Sequence, residues 1–258
     1  MKKNIKNRFY SIIFFIAIIL AWEGISMLGI LPPYVLPAPS SIVVSLVVNF
    51  TSMSNDIVIT LLEALVGFTI AILLSVIMAI LMDSIISIKK TIYPVLIISQ
   101  TIPIIIIAPL FIIWFGYGYT PKVVIVILIC FFPITISMLQ GLATVDKELI
   151  DLLRSMGASK FQVYKFVKIP SAIPNFFAGL KIAATYSIMG ATIGEWVGGK
   201  DGLGVYMIRA KQSFATDRVF AAIIIIVVLS ILLLKIIEFT ENKYMPWLKI
   251  PEETYIEE

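Results

Sequence analysis

Long apolar runs separated by short polar breaks set the plan of this chain. Residues 9–30, 57–82, about 91–115, about 121–142, 175–197 and 219–238 are each apolar over roughly the twenty residues that a helix needs to cross the hydrocarbon core. The pattern predicts an all-α integral membrane protein with six transmembrane helices. Four basic residues, Lys2, Lys3, Lys6 and Arg8, precede the first run, but no small-x-small cleavage site follows it, so it reads as a retained helix. Residues 31–56 open on LPPYVLPAPS, contain no Lys or Arg, and read as an external loop whose part 40–49 forms a short interfacial helix capped by Ser40 or Ser41. The third run carries Pro94, Pro103 and Pro109, with Ser99, Gln100 and Thr101 grouped between the first two. Breaks of this kind are tolerated in a bilayer where protein or a watery cavity satisfies the freed carbonyls, so the run lines a transport path or is a kinked packing helix. A tight turn at 116–122 leads into the fourth run, which Pro133 bends.

The main interruption is a charged island at 146–170. Leu149, Leu152, Leu153 and Met156 recur at helical spacing, which makes one apolar stripe on a short helix. Asp146 and Glu148 fall in its first turn and Arg154 in its last, complementing the helix dipole, and Lys147 and Asp151 form an i,i+4 pair. Gly157 stands where a left-handed cap is wanted, and Ser159 then caps a second helix that must end by Pro170. The product is a helix-turn-helix elbow, too polar to insert and suited to docking in another protein's groove.

Composition supports the membrane reading and narrows the chemistry. The chain is 60% apolar and 14% charged, with a mean hydropathy of +1.02, so most of its surface does not face water. The sequence pI near 9.0 does not point to nucleic acid, because the basic residues flank the apolar runs. Of the 20 Lys and Arg, fifteen fall on the side that holds both termini and the elbow, and five, including Lys122, on the other, which places termini and elbow in the cytoplasm. There is no histidine, and Cys130 is alone and reads as a small buried residue, so a disulfide within the chain, a His/Cys metal cluster and a catalytic site for a membrane enzyme all lack their groups. A stand-alone secondary transporter or channel is the alternative class, expected to show intramembrane ionisable pairs or an inverted repeat. Only Glu23, Glu63 and Glu195 lie near span ends, Gly67 sits one turn from Glu63, and no repeat is visible.

Gly194, Gly199 and Lys200 satisfy the spacing of a phosphate-binding loop, yet Asp201 stands where a magnesium-binding Ser or Thr belongs and no strand precedes the motif. A nucleotide site is therefore not expected in this chain.

The island resembles the signature of the membrane subunits of binding-protein-dependent ABC importers: Glu-Ala-Ala, three residues, Gly, nine residues, then Ile, any residue, Leu-Pro. Asp151-Leu152-Leu153, Gly157, Val167, Ile169 and Pro170 match it in register, with a shorter acid and two leucines in place of the alanines. The stretches SQTIPIIIIAPLFIIWFGYG and GEWVGGKDGLGVYMIRAKQSF look most like the nitrate/sulfonate/taurine branch, and within it like permeases for the thiamine precursor hydroxymethylpyrimidine.

The resemblance implies a type I importer permease fold: a first helix and external loop at 1–56, a core at 57–244 with a coupling loop at 143–174, and a cytoplasmic tail at 245–258. It implies no catalysis by this chain. ATP and magnesium would be bound by a partner cytoplasmic ATPase, docked on the elbow through Asp151, Arg154, Gly157, Ala158 and Pro170. An external binding protein would deliver substrate to a homodimer of this chain held in membrane lipid. Ser99, Gln100, Trp114 and Glu195 are the candidate substrate path, although Glu195 equally suits capping of neighbouring backbone or meeting the binding protein. Sulfonate, taurine, nitrate and riboflavin are the alternative cargoes.

Overall fold

A computed structural model describes residues 2–245, and these form helices joined by short connections, with no strand among them. In chain order the helices are α1 (Lys2–Met27), α2 (Pro39–Ser84), α3 (Ile86–Thr101), α4 (Ile104–Phe115), α5 (Tyr119–Ala143), α6 (Lys147–Ser155), α7 (Lys160–Val163), α8 (Ile169–Gly198), α9 (Leu203–Gln212) and α10 (Thr216–Tyr244), with a π-helical turn at Tyr164–Lys168 between α7 and α8. The expected tail from residue 246 onward lies outside the described residues. Four helices are long and apolar enough to cross a membrane, and the pair α3–α4 makes a fifth if counted as one span; α1 contributes a shorter apolar stretch, Ile12–Met27.

The bundle is built on small residues. Lipid tails are as apolar as leucine, so helices associate in a bilayer where small side chains let backbones approach. On α8, Gly179, Ala183, Ser187 and Ala191 recur every four residues and are all buried. A Cβ added at Gly179 would sit 2.8 Å from the Pro133 carbonyl oxygen of α5, so only glycine permits that crossing. Ala64, Phe68 and Ala71 of α2 join Val126 and Cys130 of α5 in the same core, and Cys130 is fully buried beside the Ala183 carbonyl at 3.4 Å. Lys181 and Glu241, 2.5 Å apart, pin α8 to α10.

Three sequence expectations about boundaries change. The short helix at 40–49 and the second span are one 46-residue helix, α2, because residues 50–56 hold no Gly or Pro and their hydroxyls fold back on the helix, Ser52 to the Asn49 carbonyl and Ser54 to that of Thr51, both at 2.7 Å. Its N-cap is Ala38, without a side-chain bond, and Pro39 occupies the first turn, where a missing N–H costs nothing. Ser40 instead donates its amide and hydroxyl to Glu23, at 3.0 and 2.6 Å, tying α1 to α2. The third run is two helices bent by 105° at Ile102–Pro103, with Pro94 and Pro109 inside α3 and α4 rather than at breaks. Pro170 does not end the second arm of the elbow. The π-turn, in which the Ile169 amide reaches back to the Tyr164 carbonyl, widens the helix just before the proline, so the arm runs on into α8.

Candidate functional site

The elbow is a locally determined turn. Asp146 caps α6 by accepting from the Glu148 amide at 2.9 Å, with Glu148 in the first turn and Arg154 in the last. At the other end Gly157 adopts φ +85°; its amide donates to the Arg154 carbonyl at 2.9 Å, and the Ala158 amide to the Leu153 carbonyl at 3.0 Å. These two bonds make a Schellman motif, which closes the helix at a defined angle. Ser159 and Gln162 then bond each other's backbone amides in a capping box that starts α7. Asp151 faces Arg154 at 3.8 Å, and it is this pair, not Lys147 with Asp151, that comes within ion-pair distance.

The apolar stripe of α6 divides between two faces. Leu153 is half-buried, while Leu149, Leu152 and Met156 are exposed, Met156 at 76%. The stem of the elbow is fastened to the end of α2: Lys168 meets Asp83 at 2.6 Å, the Tyr164 hydroxyl donates to the same carboxylate, and Ser84 donates to Tyr164 at 2.9 Å. Between stem and α6 lies a cleft of about 750 Å³ edged by Lys147, Asp151, Arg154 and Lys160. The sequence reading does not single out Asp83 as the fastening, although it is the only acid between Glu63 and Asp146.

A second cleft, of about 670 Å³, opens where the bent pair α3–α4 meets α5 and α8. The bend brings Ser99, Gln100 and Pro103 to its wall, opposite Phe132 and Ser137 of α5 and Tyr186 of α8. Ser99 spends its hydroxyl on the Leu96 carbonyl at 2.7 Å, whereas no hydrogen bond of the Gln100 amide or the Tyr186 hydroxyl occurs among the described residues. No Lys, Arg, Asp or Glu lines this cleft. Trp114 lies outside it, 63% exposed and edge-on to Phe111.

Glu195 also lies outside the cleft, 1% exposed at the end of α8. It accepts from the Thr60 hydroxyl and from the Gly204 amide, each at 2.6 Å. The neighbouring amides of α9 are held in the same way, Gly202 by Asp56 at 2.7 Å and Leu203 by Thr60 at 2.9 Å. Three successive amides at the start of α9 are thus clamped by side chains of α2 and α8, and Glu195 caps backbone, one of the roles open to it in the sequence. Lys122, expected in an exposed turn, is buried against Glu63 on α2. The Asp56–Thr60 spacing of one helical turn was the available signal, but nothing local tied it to residues more than 130 positions away. Gly199 ends α8 through its amide to the Glu195 carbonyl at 2.8 Å, so the phosphate-loop spacing falls on a helix terminus.

An all-helical bundle of apolar spans with a polar elbow between α5 and α8 fits the membrane subunit of a transporter. The chain belongs to the family described as binding-protein-dependent transport system inner membrane component, whose pattern matches residues 71–244. It is 36% identical over 242 residues to the formylaminopyrimidine transport permease protein ThiX of Halalkalibacterium halodurans, covering 92% of this chain and 95% of that one. It is 29% identical to the putative aliphatic sulfonates transport permease protein SsuC of Bacillus subtilis, over 89% of this chain and 84% of that one. A chain in the crystal structure of an amino acid ABC transporter with histidines superposes with a TM-score of 0.60 at 20% identity, covering 78% of this chain and 97% of the other. The fold is therefore that of ABC importer permeases, a family of transport subunits and not of enzymes.

Proposed function

We propose that this permease carries an uncharged polar heterocycle, best represented by hydroxymethylpyrimidine or a related thiamine precursor. The observation that carries the reading is the cleft at the bend of α3–α4, whose wall among the described residues has the Gln100 amide, the Tyr186 and Phe132 rings and no charged side chain. An amide reads paired donors and acceptors on a ring, and aromatic faces stack on it. A sulfonate, taurine or nitrate would enter this wall without a cation to meet its charge. The relative at 36% identity, named for formylaminopyrimidine transport, supports the same cargo class. Ser99 and Gln100 belong to the path on this reading, and Trp114 and Glu195 do not line it.

The energy enters at the elbow. α6 offers Leu149, Leu152 and Met156 to a groove on a cytoplasmic ATPase, which binds ATP and magnesium. Asp151 and Arg154 flank that face, Gly157 and Ala158 set its angle, and the continuous helix through Pro170 carries its movement into α8. The Asp83 fastening carries the same movement into α2. The working assembly has two copies of this chain in the cell membrane, six spans each with termini and elbow in the cytoplasm, two ATPases and an external binding protein.

The test is reconstitution in liposomes with the cognate ATPase and binding protein, reading ATP hydrolysis against added ligand. Hydroxymethylpyrimidine or formylaminopyrimidine is expected to stimulate hydrolysis. Stimulation by a sulfonate or by riboflavin with none by the pyrimidines would discard the cargo.

A further inference from the structure

Neither the cleft nor the elbow uses the three ionisable side chains that meet inside the bundle. Glu63 of α2, Lys122 of α5 and Glu195 of α8 are 1%, 5% and 1% exposed. Ionisable groups at such positions are costly and are kept where they bind or move something. Lys122 gives its ammonium to Glu63 Oε1, while both oxygens of Glu195 are taken by Thr60 and Gly204. The fourth carboxyl oxygen, Glu63 Oε2, is buried and receives no donor among the described residues. Glu195 is held on Thr60, one helical turn before Glu63 on α2, and its neighbour Gly194 lies against Lys122, whose Cα is 3.0 Å from where a Cβ of Gly194 would stand, so the two carboxyls share one buried joint.

Two ionised carboxylates at one buried joint repel and have no hydrogen to place between them. The charge count points the same way. Two carboxylates face one ammonium; α9 meets Glu195 with the Gly204 amide, and Asp56, held on the Gly202 amide, shares a separate pocket with Arg209 of α9 and Arg218 of α10 and is left out of the count. One negative charge would be left buried without a counter-ion.

We propose that Glu63 and Glu195 together bind one proton from water, which bridges Glu63 Oε2 and the Glu195 carboxyl and makes the triad with Lys122 electrically neutral. No covalent bond other than O–H forms. The site joins α2, α5 and α8 at the point where α9 is clamped, so that joint holds a proton as a structural ligand. It is independent of the cargo and of the ATPase.

The test is infrared spectroscopy of the purified chain in nanodiscs at neutral pH, reading the C=O stretch of protonated carboxylic acid. The wild type is expected to show one such group shielded from rapid deuterium exchange. Glu195→Gln and Glu63→Gln are both expected to abolish it, because either change leaves one carboxylate for one ammonium. Glu63→Asp, which keeps both carboxyls, is expected to retain it. Absence of the band in the wild type overturns the site. Survival of the band in Glu63→Gln overturns the sharing, since the proton would then belong to Glu195 alone. The wild-type measurement stands even where a glutamine variant fails to fold.

Discussion

Two glycines in left-handed backbone flank the continuous helix that runs from α7 through the π-turn into α8, and they do opposite work. Gly157, at φ +85°, has nothing within 4 Å of where a Cβ would stand. Gly202, at φ +118°, would drive a Cβ into the Glu195 carboxyl. The first turn is shaped by its own neighbours in sequence and leaves an apolar face open. The second is shaped by side chains from α2 and α8 and leaves no space at all. One end of α8 is made to receive something, and the other is made to hold.

That difference gives charges at the two ends different weights. Lys122→Met removes the only cation from two buried carboxyls, and breaking a buried pair from one side costs about 3–5 kcal/mol. Lys147→Met on the exposed elbow removes a solvated charge and costs less than about 0.5 kcal/mol. Denaturant unfolding of the purified chains in detergent reads both. Equal midpoints for the two variants would mean that the joint holds no more tightly than the elbow.

The glycines themselves give the next effect. Gly202→Ala adds a clash with Glu195 to backbone strain and is expected to cost about 3 kcal/mol, with loss of the α9 clamp. Gly157→Ala meets open space and carries strain alone, about 1–2 kcal/mol. Gly157→Pro goes further, since proline cannot adopt this φ and lacks the amide that donates to Arg154. It is expected to abolish ATP-driven transport while the chain still inserts in the membrane. Undiminished transport in a liposome assay would take the elbow out of the mechanism.

The same contrast explains what could be read from the residues. The two turns of the elbow were legible, because Gly157 and Ser159 act within a few residues of themselves and cap rules are local, whereas Asp146, read inside the first turn, is the cap itself and Asp151 pairs with Arg154 rather than Lys147. Pro170 was misjudged for a physical reason: a π-turn absorbs a proline that would stop an ordinary α-helix. The bend at Pro103 was foreseeable as a break, but its 105° angle was not, since the angle is set by what α5 and α8 leave open. Lys122 looked like an external charge because its partner Glu63 is 59 positions away. Glu195 stood out as an acid at a span end, while Thr60, which binds it, and Asp56, which holds the Gly202 amide beside it, carry no mark of their own.

The smallest effect on stability falls on the surface with the most at stake in assembly. Leu152 is 58% exposed on α6, and the helix caps use its backbone carbonyl but not its side chain. Leu152→Glu keeps a good helix former, buries no charge and is expected to shift the unfolding free energy by less than about 0.5 kcal/mol. If the exposed stripe seats in an ATPase groove, the same change places a carboxylate in an apolar contact, and co-purification of the ATPase should fall at least tenfold, about 1.4 kcal/mol of binding. The variant therefore separates holding from receiving in one chain. A loss of stability with binding intact would assign the stripe to the protein's own packing, and a loss of binding alone would assign it to a partner.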